Sequence, residues 1–585
     1  MKILSIMALM ATSVLGGPCA AEAASAHSMM VAPNDLPGQD LSAIGALHMD
    51  DMSSMAKPLY DDGKGPIVLG AQISARVSPA AAETSSAAPI FAGTGYVFGQ
   101  APAAGASAGT GGYFDPAVTW PLVSLHAIVL PDGRILNYGT NVNAANTFMY
   151  DVWDPKLGDS STAHSVLPNT TTTDIFCSFQ SLDWQTGEVL ITGGDTGSTY
   201  RNNAGTNATT LFAPTTNSIR PQTAMKYGRW YPTVVGMPNG DMVALGGYLS
   251  STVPTVIPEV YNSSATPNWR TLTGAGSNDA FGLTQGGWFY PKAWLTPRGD
   301  IFMIANTGKM YSIDPTGVGT ITNIVVPKGM ISPARGTFTL PTVMYAPGKL
   351  LSLRFTTGAT PVAVAQIIDI NAPQPIVTNT ANIDQFRYWA TATVLADGKV
   401  AVTGGSAKAN AAINIDYTTQ IWDPATGAWT AGAVATKPRL YHSIALLLPD
   451  ATVLTGAGGA PGPVTERNAE IYYPPYLYLN DGSGLPAPRP TLADAPVALT
   501  IGDNVNATVG PNDVISRVTF VRAGSVTHST NIDQRFFDLP FTQTGASITA
   551  TLPTDSRVLV PGYYMMFVLQ NGVPSVAKII RVTPS

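Results

Sequence analysis

From Thr119 onward the chain alternates short apolar runs with tight turns, and the alternation repeats. A run such as Leu125-His126-Ala127-Ile128-Val129-Leu130 ends in Pro131-Asp132-Gly133; a second run follows, often ending in two glycines, and a third completes the unit. Short β-branched and aliphatic runs bounded by Pro, Asp, Asn and Gly predict strands joined by hairpins. The turn residues recur at Gly133, Gly187, Gly240, Gly299, Gly348, Gly398 and Asp450, a period of about 50 residues. Double glycines stand after the second run at Gly193-Gly194, Gly246-Gly247 and Gly404-Gly405. The third run echoes itself in Val152-Trp153-Asp154-Pro155 and Ile421-Trp422-Asp423-Pro424.

A period of that length with paired glycines after the second strand is the kelch pattern, and the units predict a seven-bladed kelch-type β-propeller over 113–485. The repeat stops after Glu470-Ile471-Tyr472-Tyr473-Pro474-Pro475. Residues 486–585 then read as short alternating strands at Ala507–Val509, Val518–Arg522, Ser547–Leu552, Tyr563–Leu569 and Ala577–Val582. That pattern predicts a C-terminal immunoglobulin-like β-sandwich, so the fold class is all-β.

Composition narrows the function. Charged residues are 12% of the 585 and the net charge is −6, which gives no basic surface for nucleic acid. Outside the N-terminus no apolar run is long enough to cross a membrane as a helix. Lys2, the apolar Ile3–Leu15 stretch and the small residues of Ala21-Glu22-Ala23 and Ala24-Ser25-Ala26 read as a signal peptide over 1–26, placing the protein in the periplasm or outside the cell. Residues 27–112, rich in Ala, Ser, Gly and Pro, read as a low-complexity leader or linker, with a few strands near Ile67–Val77. Within it His27, Met29, Met30, His48, Met49, Met52 and Met55 are residue types that bind Cu(I), although low complexity alone accounts for them. Signal cleavage removes Cys19 and leaves Cys177 as the sole cysteine, which is either an inert buried thiol, a reactive one or half of a cross-link.

Counting back from each turn residue compares equivalent positions between blades. Cys177 lies ten before Gly187, Tyr231 nine before Gly240, and Tyr441 and His442 nine and eight before Asp450. All four therefore fall at one end of the propeller channel, where loops of several blades converge. A single Tyr at such a position is most often core packing, and His126 and His164 are set aside as structural. Consecutive residues in a regular strand point to opposite faces, so Tyr441 and His442 can share a centre only if the backbone there is irregular or the strand has not yet begun.

Four separated motifs carry a resemblance. Ile175-Phe176-Cys177, Arg229-Trp230-Tyr231-Pro232, Arg439-Leu440-Tyr441-His442-Ser443 and Thr527-His528-Ser529-Thr530-Asn531-Ile532-Asp533-Gln534-Arg535 are similar to the metal-site motifs of the radical copper oxidases, galactose oxidase and glyoxal oxidase. The likeness runs from about Trp120 to the C-terminus and includes Pro561-Gly562-Tyr563-Tyr564 and Gly572-Val573-Pro574-Ser575. It implies one copper ion with Tyr231, His442 and His528 as equatorial ligands and Tyr441 as axial ligand and general base. It also implies a thioether bond from Cys177 to Tyr231, making a protein-derived Cys–Tyr radical cofactor.

The chain departs from galactose oxidase in two places. Leu249 stands where that enzyme has a Trp stacked on the cross-link, which leaves Trp288, Tyr290 and Trp389 as candidates for stacking or for the substrate pocket. Its sugar-holding Arg aligns with the Gly286-Gly287 region and has no counterpart. Together with the Arg229-Trp230-Tyr231-Pro232 motif, these departures favour the glyoxal oxidase type. The expected protein is a secreted monomer that oxidises small aldehydes (as hydrates) or primary alcohols with O2 and yields hydrogen peroxide. The competing expectation is a non-catalytic kelch propeller that binds glycans or protein partners at the cell surface.

Overall fold

Each repeat read from the sequence becomes an antiparallel sheet of strands consecutive in the chain. The computed structural model describes residues 95–585 apart from 141–148, 198–202, 251, 264–265, 307, 326–338, 357–361 and 461. The signal and most of the leader, with its histidines, methionines and Ile67–Val77, lie outside the described residues. Among the described residues no helix is long and apolar enough to cross a membrane.

Seven such sheets follow one another from Tyr113 to Tyr473 among the described residues, forming the β-propeller. Within a sheet the strands run in chain order from the channel outward, and the residue pattern follows that order. The innermost strands, such as Val123–Val129 and Thr391–Val394, are buried along their whole length. An outermost strand, such as Ser218–Gln222, is mostly exposed and keeps only Ile219 inside. Continuous apolar runs therefore mark strands covered on both faces, and polar runs mark the rim.

The last sheet joins the two ends of the propeller. Ile444–Leu447, Val453–Gly456 and Asn468–Tyr473 come from the end of the repeat, and Tyr113–Phe114 and Val118–Thr119 add as its outer strand against Asn468–Tyr473. Residues 95–112, which composition assigns to the leader, pack against the same side. Tyr96 is buried and its hydroxyl donates to Asp450 Oδ2 at 2.8 Å. Small, low-complexity residues carry no periodic signal of such packing.

The C-terminal sandwich has two sheets, one built on Asn504–Val509 and Ser547–Thr551, the other on Arg517–Arg522, Gly562–Gln570 and Lys578–Thr583. A finger from this domain enters the propeller. Its strand Ser525–Thr527 pairs with Val123–Val129, placing Thr527 opposite His126. The returning chain bridges Thr530 to Thr342 of the fifth sheet.

Candidate metal centre

The centre is assembled by backbone irregularities at the starts of the innermost strands. Cys177, Tyr231, Tyr290, Trp389 and His442 have φ of +55°, +61°, +35°, +66° and +69°. Cys177, Tyr290, Trp389 and His442 each stand two residues before a buried inner strand, and Tyr231 is the second residue of one. A non-glycine residue in the left-handed region costs roughly 1–2 kcal/mol, and a ring of five at one channel mouth marks a functional site. The conformation of His442 removes the strand alternation that would separate it from Tyr441: the strand begins only at Ile444, and the two rings stack with centroids 3.7 Å apart.

Buried ion pairs hold three of these turns. An Arg two or three residues before the positive-φ residue reaches the third strand of its own sheet or the residues leading into it: Arg229 to Glu259 at 2.9 Å, Arg439 to Glu470 at 2.8 Å, and Arg387 to Asp416. Each guanidinium also donates to a carbonyl of the second strand or just past its end, namely Gly246, Ala457 and Gly404. The double glycines of the repeat are what allow the next turn to lie so close. A Cβ on Gly193 would stand 2.2 Å from the Arg229 carbonyl oxygen, and one on Gly404 2.3 Å from that of Arg439.

The finger delivers the remaining side chain. Thr527 and Thr530 exchange backbone hydrogen bonds of 3.1 and 2.8 Å. Between them His528 and Ser529 both have positive φ, +47° and +58°, as in a two-residue type I′ hairpin turn. The tip places His528 against the propeller residues, with its Nε2 3.9 Å from Cys177 Sγ.

Cys177, Tyr231, Tyr441, His442 and His528 are all buried. Ligand atoms of Cys177, His442 and His528 lie within 4.8 Å of one another, and the Tyr231 and Tyr441 hydroxyls are 3.1 Å apart. The hydrogen bonds assign both imidazole tautomers. His442 Nδ1 lies 2.7 Å from the Gly459 carbonyl oxygen, which can only accept, so Nδ1 carries the proton and Nε2 the lone pair. Thr527 Oγ1 gives its proton to the Leu125 carbonyl and lies 2.6 Å from His528 Nδ1, so His528 likewise presents Nε2 as a base. Fixing one nitrogen to free the other is how imidazole ligands are oriented.

Burial drives both phenols well above their ordinary pKa, and the neighbouring Cys177 thiol pushes in the same direction. A bound cation reverses that preference and favours phenolate. Two imidazoles, two phenols and a thiol, with no carboxylate in the cluster, fit copper. The Cys-His-His trio alone would also suit zinc; the paired phenols set this centre apart.

The comparisons with known proteins agree. The galactose oxidase-like early-set family model matches residues 489–582. A galactose oxidase from Gibberella zeae is 29% identical over 509 residues, covering 81% of this chain and 71% of that protein. An aldehyde oxidase from Arabidopsis thaliana is 24% identical, covering 72% of this chain and 75% of its own. Among solved structures, a fungal alcohol oxidase in complex with copper matches with a TM-score of 0.70 and 26% identity, over 81% of this chain and 99% of that one. These likenesses support the radical copper oxidase family.

The centre is walled by aromatic rings. The three aromatic candidates read from the sequence all reach the tyrosines. Trp389 lies against Tyr441 with centroids 4.5 Å apart, Tyr290 meets Tyr231 edge-on at 5.0 Å, and Trp288 is tilted to it at 6.0 Å. None of the three stacks face to face. That position belongs to Phe289, whose ring is 4.3 Å from Tyr231 at 21°, and which sequence reading passed over between its two neighbours. The backbone flip at Tyr290 turns that ring edge-on, and its hydroxyl donates to the Ser178 carbonyl at 2.8 Å. The signal was the unbroken triplet Trp288-Phe289-Tyr290. Leu249 is 47% exposed. His126, set aside as structural, stacks on Tyr138 at 4.3 Å and lies 5.8 Å from the His528 ring. Burial lowers its pKa to about 3, so it is a neutral supporting group. His164 pairs with the buried Asp151 at 2.7 Å.

Proposed function

We propose that this protein oxidises small aldehydes, as their hydrates, or simple primary alcohols with dioxygen, releasing hydrogen peroxide. Copper would be held by Tyr231, Tyr441, His442 and His528. The observation that carries the reading is the convergence of those four side chains with Cys177 in one buried cluster within a radical copper oxidase fold. A propeller serving only to bind glycans or proteins has no need of two imidazoles, each fixed through Nδ1, beside two buried phenols.

The roles follow from position. His442 and His528 are the neutral nitrogen donors, each oriented by a bond from Nδ1. Tyr231 is the ligand beside Cys177: its N–H donates to the Cys177 carbonyl at 2.9 Å, and its phenol lies within interaction range of the thiol. Joining them forms a bond from Sγ to the Tyr231 ring carbon beside the hydroxyl. The S–H and ring C–H hydrogens leave with two electrons, and O2 accepts them as hydrogen peroxide. Tyr441, stacked on His442 with its oxygen 3.1 Å from that of Tyr231, is the base that takes the substrate hydroxyl proton. Copper, when bound, supplies one of the two oxidising equivalents and the cross-linked phenol the other. The aromatic rings of Phe289, Trp288 and Trp389 exclude water and favour small or weakly polar substrates over a sugar. The N-terminal pattern adds export from the cytoplasm.

The test is aerobic turnover of the copper-loaded protein on a panel of small aldehydes, primary alcohols and galactose, read as peroxide released. Activity on the first two classes that disappears with copper removal is expected. Copper-independent activity, or none on any substrate with copper bound, contradicts the proposal.

A further inference from the structure

Lys292 opens the innermost strand of the fourth sheet, Lys292–Leu295, and is held rigidly by pairing opposite Ile304. It is buried, with 1% exposure. Among the described residues its side chain has no carboxylate within ion-pair range; Nζ donates instead to the Ser529 carbonyl at 2.9 Å and to Thr530 Oγ1 at 3.1 Å. An amine buried without a counter-charge is costly, and here both its acceptors belong to the finger turn that carries His528.

The contacts form a directed chain. Because Thr530 Oγ1 accepts from Lys292, its own proton is free to go to the His528 carbonyl, 3.2 Å away. Lys292 thus grips Ser529 directly and His528 through Thr530, across a turn whose two central residues are both in the left-handed region without being glycine. Two N–H groups satisfy both acceptors in either protonation state, the ammonium making the stronger bonds.

We propose that Lys292 is a positioning residue for His528, locking the finger turn from the propeller wall so that the imidazole Nε2 faces the metal centre. The proposal rests on the copper reading of that centre.

The test uses the full-length protein and two readouts, Cu(II) affinity by chelator competition and the Cu(II) electron paramagnetic resonance spectrum. Lys292→Met keeps the stem and removes the donors; copper affinity falls by about 10- to 100-fold, as for loss of other outer partners of a metal ligand, and the hyperfine pattern changes. Thr530→Val shifts both readouts in the same direction, whereas Thr530→Ser, which keeps the hydroxyl, restores them. The Thr530 pair carries the test if Lys292→Met does not fold. A merely structural lysine would lower the melting temperature and leave the spectrum unchanged. A folded Lys292→Met with wild-type affinity and spectrum, or Thr530→Val and Thr530→Ser that cannot be told apart, overturns the proposal while the copper reading stands. A wild-type protein that binds no Cu(II) overturns both.

Discussion

Cys177, Tyr231, Tyr441, His442 and His528 come from four distant stretches of chain and meet because Cys177, Tyr231, His442 and His528 adopt a left-handed backbone that glycine would adopt more cheaply. Their side chains are what the position demands. Replacing His528 by Ala removes the proposed donor of the C-terminal domain, and copper affinity measured by chelator competition should fall by about 100-fold or more. Unchanged affinity would remove the finger from the centre. Cys177→Ala should fold and bind copper while losing most turnover, because it alters only the proposed partner of Tyr231; wild-type peroxide release would remove the cross-link from the mechanism. Repeat counting located Cys177, Tyr231, Tyr441 and His442, since equivalent positions in successive blades share one end of the channel. It also stated the condition for Tyr441 and His442 to cooperate, and the φ of His442 meets it. Counting missed Phe289, because which ring of Trp288-Phe289-Tyr290 stacks depends on the backbone flip at Tyr290, a torsion that the residue types do not encode.

Among the elements, the arginine braces and the closing strand set the stability of the site. Arg439 lies across Glu470, whose other oxygen accepts from the Thr436 N–H and hydroxyl at 2.7 Å. Glu470→Gln leaves a buried guanidinium without its counter-charge, which destabilises by roughly 3–5 kcal/mol. Calorimetry should show a clear fall in melting temperature, and a shift within experimental error would contradict the role given to the brace. At the closing strand, burial raises Asp115 from 3.8 to about 6, opposed by the hydrogen bond from Tyr473. A carboxyl whose folded pKa is raised contributes stability that is fully present below its unfolded value and is lost as pH rises through about 6. Between pH 7 and pH 5, Asp115 therefore adds stability as pH falls. Asp115→Asn should flatten that part of the melting-temperature profile, and an unchanged slope would contradict the assignment. Glycine pairs and turn spacings made the strands legible, whereas the buried packing of Tyr96 was hidden because its neighbours carry no periodicity.

The whole molecule is a propeller closed by its own N-terminal strand and threaded by a finger of its C-terminal sandwich. Sequence alone indicated both domains, because the period of about 50 residues with its paired glycines marks the blades and its end, followed by short strands, marks the sandwich. Of those strands Asn504–Val509 and Ser547–Thr551 alternate, whereas Arg517–Arg522 and Gly562–Gln570 are covered almost throughout. The insertion of Ser525–Thr527 beside Val123–Val129 was not legible: pairing between residues some 400 positions apart leaves no local pattern. That docking brings His528 beside Cys177 and completes the buried cluster on which the proposed oxidation rests. The account is tested most directly by the intact mass of the mature protein after copper loading and aeration, followed by reduction. A mass two hydrogens below the calculated value, restored to the calculated mass in Cys177→Ala, is the expected result. Full mass with a titratable Cys177 thiol after copper exposure would contradict the cross-linked centre on which the proposed oxidation depends.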